Sequence, residues 1–353
     1  MAGTVLEQTL ARHRAFWECG KADRPIVFAE KYQPLSEVKL MLADGSAVKQ
    51  DMYLTPELLD PKRMLDMEEA PKPPRAKRDS PGGINGDVFV IRPPITKMPW
   101  VEAVLGCKVQ VQVAAGSIYS QPFLESAEEL SRIPPTKGNA WLKKLQEYTR
   151  VLVQNANGRY HVPLSLMRGT VDLVAALLGY NRMAEGIVDN PRAIRKLTER
   201  SIEAFMAVAE AQFAETPMLE GGRVTPYGVW APGTFIKSQC DASAALSAKT
   251  YEEMFFPYEL EIYKKYKYSN VHLHSGYLHT VPTFLKTDWP TSLQVALDTG
   301  STPQTVSTLM PVFKQITAKK PLFITGPMTR AELDLLQREL PHGGLMIGAY
   351  LTD

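Results

Sequence analysis

The chain has 353 residues, with 40 Lys+Arg against 38 Asp+Glu and a formal net charge of +2. A balance so near zero gives no general drive toward nucleic acid or an anionic membrane, and no apolar run reaches the roughly 18 residues of a spanning helix. Three cysteines (Cys19, Cys107, Cys240) are too few and too scattered for a disulfide framework or a paired-cysteine zinc module, which points to a reducing, cytoplasmic setting. The N-terminal stretch carries Glu7, Arg12, His13 and Arg14 and lacks the apolar segment of a secretory signal.

In chain order, Val5–Cys19 reads as a helix with Leu6, Leu10, Phe16 and Trp17 on one face, stopped at Gly20. Residues 26–29 are a short apolar strand ending in a charge, Glu30. Residues 55–69 suit a helix with Thr55 as cap and Pro56 at its first position. Residues 70–87, rich in Pro, Gly, Lys and Arg, read as an exposed loop. Regular alternation follows. Residues 88–91, 109–113, 161–167, 224–230, 271–274, 292–297, 322–325 and 345–347 read as strands. Between them, residues 100–105, 139–154, 170–178, 191–213 (capped by Asn190), 250–267, 278–285, 303–316 and 330–338 read as helices.

Strands alternating with helices of this length predict a parallel sheet. About eight strands in a chain of this size predict an α/β fold formed by residues 1–353 as one domain: a closed (β/α)8 barrel of the TIM type with an N-terminal helical extension. An open doubly wound sheet is the alternative. No glycine-rich fingerprint follows any strand, so no nucleotide cofactor is expected.

In such a barrel, chemistry sits where strands end and βα loops begin. That rule selects Glu30, Arg168, Tyr227 with Trp230, His272 with His274, Asp298 and the loop at 326–330. The sharpest feature is Val271-His272-Leu273-His274-Ser275-Gly276. Three of the six histidines fall between positions 272 and 279. Positions 272 and 274 of a strand point to the same side. Two imidazoles there suit zinc or another transition metal, or proton shuttling; one hydrogen-bonded core histidine beside a polar pocket is the competing reading. Cys240-Asp241 falls in a loop on the same face. Asp241 suits a proton acceptor, a partner for a histidine, or a metal ligand. Cys240 suits a thiolate ligand or a small buried filler. Arg168 suits a carboxylate or phosphate, or an ion pair with an acid such as Asp172. Tyr227 and Trp230 offer flat faces to an organic substrate, or plain core packing.

Together these segments resemble the uroporphyrinogen decarboxylase-like superfamily, which includes the corrinoid- and thiol-linked methyltransferases. The likeness covers nearly the whole chain. RHRAFWECGKADRPI, from Arg12, is similar to that family's opening helix and "DR-P" strand entry. RGTVDLVAALLGYNRM, from Arg168, is similar to its "G-P-x-D-x-x-x-x-L-x-G" segment. DASAALSAKTYEEMFFPY, from Asp241, resembles its "D…S-P-x-x-F-x-E-F-x-x-P-Y" segment. VHLHSG stands where members read "H-x-C-G", and residues 299–306 fit the loop and helix after the strand carrying Asp298.

Two departures shape what the resemblance implies. Porphyrinogen decarboxylases carry an arginine-rich "R-Q-A-G-R-Y" segment that grips an acidic substrate; here the matching region, residues 28–32, reads FAEKY, with an acid and no paired arginines. Zinc methyltransferases of the superfamily use H-x-C and a later cysteine. Here His274 takes the cysteine's place if the histidines are aligned, Ser275 if the glycines are, and no cysteine lies beyond Cys240. The resemblance implies an enzyme acting on a small organic substrate by methyl transfer or demethylation. Zinc is the implied metal, and a corrinoid protein the implied methyl donor or acceptor. A decarboxylase or lyase of an organic acid or porphyrinogen is one alternative, and a non-catalytic binding barrel another. The expected catalytic residues are His272, His274 and Asp241; the expected substrate contacts are Tyr227, Trp230, Arg168, Glu30 and Asp298; the expected metal ligands are His272, His274 and Cys240. Neither nucleic acid nor membrane is an expected partner, and a homodimer is compatible with the reading.

Overall fold

The computed structural model describes residues 4–33, 40–65, 83–298 and 304–353. The N-terminal helix Val5–Trp17 starts at a reciprocal cap. The Thr4 hydroxyl accepts from the Glu7 backbone N–H (3.2 Å), and the Glu7 carboxylate accepts from the Thr4 N–H (2.6 Å). Six strands form one parallel sheet: β1 (Ile26–Lys31), β2 (Phe235–Gln239), β3 (Tyr268–His274), β4 (Ser292–Ala296), β5 (Leu322–Met328) and β6 (Leu345–Leu351). Their spatial order is β1-β6-β5-β4-β3-β2. The first and last strands of the chain are therefore neighbours, with Ile26 opposite Met346 and Lys31 opposite Leu351. Helices Ala248–Met254 and Phe256–Tyr263 cross from β2 to β3, Val306–Thr317 from β4 to β5, and Arg330–Glu339 from β5 to β6.

A parallel sheet covered on both faces calls for continuous apolar strands. β5 and β6 meet this with Leu322, Phe323, Ile324, Leu345, Met346 and Ile347, all buried. β2, β3 and β4 are different. Lys237, Gln239, Asn270, Ser292 and Gln294 are buried along them: Asn270 donates to Ser292, Gln239 to Asp241 and Gln294 to Thr325, and Lys237 lies over the Tyr227 ring. At the strands' N-terminal ends the N-terminal helix closes the interior. Trp17 packs on Phe235 and Tyr268 (ring centroids 6.0 and 4.7 Å), and Phe16 on Phe323 (4.8 Å).

His13 pins that helix. Its Nε2–H donates to the Asp87 carbonyl (2.7 Å), and its Nδ1 accepts from the Trp230 N–H (2.9 Å). Accepting at Nδ1 needs the neutral ring, and burial pushes its pKa down from 6.5 to about 4. The unfolded chain takes up this proton near 6.5, the fold only near 4. This contribution is therefore intact above pH 6.5 and lost as pH falls toward 4, by up to roughly 3 kcal/mol. Urea unfolding of wild type and His13→Gln at pH 7 and pH 4.5 measures it. The wild type should lose more stability between the two pH values than the variant; an equal loss in both would assign the pH dependence to other groups.

Several elements differ from expectation. The expected closed barrel of eight strands is not what the hydrogen bonding shows: six strands form the parallel sheet. The segments expected as strands at 88–91 and 161–167 meet in a single parallel bridge, Ile91 with His161, and Val88–Phe89 also forms a short hairpin with Ile84–Asn85. Residues 161–167 hold one proline, Pro163, and no regular ladder, although Gly169 donates to the Gln239 carbonyl (2.7 Å) at the end of β2. The 109–113 strand is Lys108–Gln112, in an antiparallel sheet with Met52–Leu54 and Ser117–Gln121. The strand expected at 224–230 is an antiparallel hairpin, Arg223–Val224 with Trp230–Ala231, turned by a Gly228 at φ +73°. The parallel strand follows it as β2. Helix Tyr180–Asp189 was not expected, and 250–267 is two helices, restarted at Pro257. Residues 55–69 begin as a 3₁₀ turn, Pro56–Leu58, and a short helix, Pro61–Leu65; their remainder, and 70–82 of the expected loop, lie outside the described residues.

Candidate functional site

The register sets the site. His272 on β3 stands opposite Gln239 on β2 and Gln294 on β4. Two residues further along, His274 rises to the strand's C-terminal end, with Asp241 just past β2 and Asp298 just past β4. The side chains converge. His272 Nε2 and His274 Nε2 lie 3.1 Å apart, and His274 Nε2 lies 3.6 Å from Asp241 Oδ1. These three residues offer ligand atoms all within 4.8 Å of one another.

The surroundings decide which atoms face inward. His274 Nδ1 is 2.5 Å from Asp298 Oδ1. An ionised carboxylate only accepts, so Nδ1 carries the hydrogen and Nε2 presents a lone pair. The second oxygen of Asp298 accepts from the Gly276 N–H (3.0 Å) and the Ser275 hydroxyl (3.1 Å). On the other side His272 Nδ1 meets the amide oxygen of Gln294. In that arrangement two imidazole lone pairs point at each other across 3.1 Å, beside a carboxylate. Electrostatics requires a cation or a proton between them.

The donor set fits a divalent transition metal. Ligand distances of 2.0–2.1 Å in a tetrahedron set ligand atoms about 3.3 Å apart; two of the three separations are 3.1 and 3.6 Å, and the third lies within 4.8 Å. A carboxylate behind one histidine and an amide behind the other are the supports that metal-binding imidazoles use. Two nitrogens and one oxygen leave a fourth position for a substrate, as in catalytic rather than structural zinc sites.

Asp241 is itself held in place. Gln239 Nε2 donates to its Oδ2, and the Tyr277 hydroxyl donates to its Oδ1 (3.0 Å). Burial and the Asp241 charge push the Tyr277 phenol up, which keeps it a donor. Behind them, buried Asp172 accepts from the Ala242 N–H (2.6 Å), while its other oxygen meets no partner. Burial first, and the nearby Asp241 charge second, push the Asp172 carboxyl well above the usual carboxylate range. Burial therefore favours the protonated form of Asp172.

The structure brings together four of the residues expected from sequence: His272, His274, Asp241 and Asp298. It does not bring Cys240 into the set. Its thiol is buried and points to the His272 carbonyl, 4.0 Å away; burial pushes its pKa well up, which disfavours a thiolate. Arg168 makes the ion pair that was the alternative to a substrate role, with the buried carboxylate of Glu102 (3.0 Å) rather than Asp172, and Glu102 above all raises its pKa. Trp230 is not at the mouth but at the opposite end, where its carbonyl accepts from Trp17 Nε1 (2.9 Å). Tyr227 enters the interior from that same end. Its ring packs on Phe323, and its hydroxyl lies 3.1 Å from Asn270 Oδ1 and from Gln294 Oε1. Glu30 stands opposite Tyr350 in the β1–β6 register, and burial together with Glu30 pushes the Tyr350 phenol to about 12.

Three residues escaped the sequence reading, Gln239, Gln294 and Tyr277, and Asp172 entered it only as a partner for Arg168. The available signal was a single amide in each of two strands, FIKSQ and SLQVA, whose neighbours are mostly buried.

No protein-family model matches the chain, and no curated protein matches it in sequence. Among the described residues no helix is long and apolar enough to cross a membrane. In three dimensions the chain is similar to a methyltransferase from Methanosarcina mazei, with a TM-score of 0.60 and 11% identity. The match covers 97% of this chain and 93% of that one. The shared property is the fold: a mixed α/β architecture, common to this chain and a methyltransferase over nearly the whole of both.

Proposed function

We propose that the protein is a metal-dependent methyl-transferring enzyme of the uroporphyrinogen decarboxylase-like superfamily, acting on a small organic substrate at the C-terminal ends of its parallel strands. The observation that carries this reading is the convergence of His272, His274 and Asp241, with their supporting acids and amides, at the end of the fold where α/β sheets hold their substrates. On this reading segments 88–91 and 161–167 complete the wall of an irregular barrel, and a corrinoid protein is the methyl donor or acceptor.

His272, His274 and Asp241 would hold the metal. A divalent cation there supplies Lewis acidity, which stabilises a thiol or hydroxyl as its anion at neutral pH. The chain's own residues do the rest. Asp298 keeps the His274 ring in one orientation and tautomer. Gln239 and Tyr277 fix the Asp241 carboxylate. Burial, by favouring the protonated form of Asp172, limits the negative charge gathered behind Asp241.

A polycarboxylate substrate is the poorer fit. Asp241, Asp298 and Glu30 all sit at strand ends on this face, and Arg168 is committed to Glu102. Uroporphyrinogen should therefore turn over poorly, and turnover at the rate of a dedicated decarboxylase would reject the assignment. The direct test is elemental analysis with a methyl-transfer assay, using methylcobalamin and simple thiols. About one zinc per chain and transfer lost on chelation are expected. Full transfer by metal-free protein would overturn the metal site, and bound metal with no turnover on any thiol or methoxylated compound would favour a binding role.

A further inference from the structure

We infer that Gln294 is a positioning residue whose side-chain amide turns over with occupancy of the site, and so decides which nitrogen of His272 carries the hydrogen. Gln294 is buried in β4. Its amide oxygen meets His272 Nδ1 and the Tyr227 hydroxyl (3.1 Å), and its amide nitrogen donates to the Thr325 hydroxyl (2.5 Å).

Two of these three partners are hydroxyls, which donate or accept equally well. Tyr227 also has an acceptor in Asn270 Oδ1, 3.1 Å away, held by the donation of Asn270 Nδ2 to Ser292 (3.0 Å). A half-turn of the Gln294 amide therefore loses no bond to either hydroxyl; each only exchanges role. His272 alone must change. With the amide oxygen toward it, Nδ1 carries the hydrogen and Nε2 presents its lone pair to the site. With the amide nitrogen toward it, Nδ1 accepts, and Nε2–H donates to His274 Nε2 across 3.1 Å. His274 cannot exchange roles in the same way, because Asp298 holds its Nδ1 as donor.

The network thus has two bonded states built on the same heavy-atom positions. One needs a cation between the two rings, and the other needs none. The inference takes the metal from the functional reading above; the tautomer itself is independent of it.

The test is long-range proton–nitrogen NMR of ¹⁵N-histidine-labelled protein, metal-free and after addition of zinc chloride. In metal-free wild type His272 should be the Nε2–H tautomer, and zinc should convert it to Nδ1–H. Gln294→Glu, whose carboxylate only accepts, should hold Nδ1–H without metal and bind zinc more tightly than wild type. Gln294→Met should leave the metal-free tautomer unchanged and weaken zinc binding by roughly ten- to a hundredfold. A metal-free wild type already in the Nδ1–H form, or a Gln294→Met variant with unchanged zinc affinity, would overturn the inference. If zinc does not bind at all, the functional reading fails; metal-free wild type against Gln294→Glu then decides the present one, the same tautomer in both overturning it, and if Glu does not fold the tautomer of metal-free wild type decides it, Nε2–H in its favour and Nδ1–H against.

Discussion

His274→Ala is expected to remove bound zinc and lower methyl transfer by more than about a hundredfold while the melting temperature moves little. His274 contacts His272, Asp298 and Asp241. Its loss takes away one of the three proposed ligand atoms and leaves Asp298 Oδ1 without its imidazole partner, while Oδ2 keeps Ser275 and Gly276. The position stands at the strand's open end, where the side chain is 31% exposed. Water can therefore replace the ring's hydrogen bonds, and the stability cost should stay near 1 kcal/mol. Metal content, activity and a thermal melt of one preparation check this together. A large fall in melting temperature, with the remaining folded protein fully active, would make His274 a scaffold residue.

Arg168→Ala should act the other way, costing stability more than chemistry. Glu102 is 0% exposed, and Arg168 lies 3.0 Å from its carboxylate. Removing the guanidinium leaves a buried charge uncompensated, which typically costs about 3–5 kcal/mol. Arg168→Met combined with Glu102→Leu should recover most of that loss, because the pair is then replaced by apolar volume. Denaturant unfolding of the single and double variants measures it. A single variant that melts like wild type but loses substrate affinity would return Arg168 to the substrate.

The periodic elements of this protein were legible in its sequence. The helices at 140–156, 191–215 and 330–339 start at the local caps Asn139, Asn190 and Thr329 and carry stripes that act within a few residues of themselves. So were His272 and His274, since a strand's two-residue repeat puts them on one side wherever the strand lies. What sequence could not show depends on partners far along the chain. The strand mistaken at 224–230 and the overlooked β2 illustrate this. GRVTPYGVWA has the apolar run, yet Gly228 folds it back on itself, and Trp230 is buried against His13 and Trp17, more than 200 residues away. FIKSQ looks too polar for a core strand, but Lys237 and Gln239 face the interior and find partners there: Lys237 over the Tyr227 ring, Gln239 on Asp241. Cys240 and Asp241 are neighbours in sequence, and only the turn after β2 sends the thiol into the core and the carboxylate to the histidines. Buried polar groups are affordable only when paired, and pairing is a property of the assembled sheet; local sequence determined the helices and the histidine pair, and tertiary structure decided which of the other polar residues belong to the site.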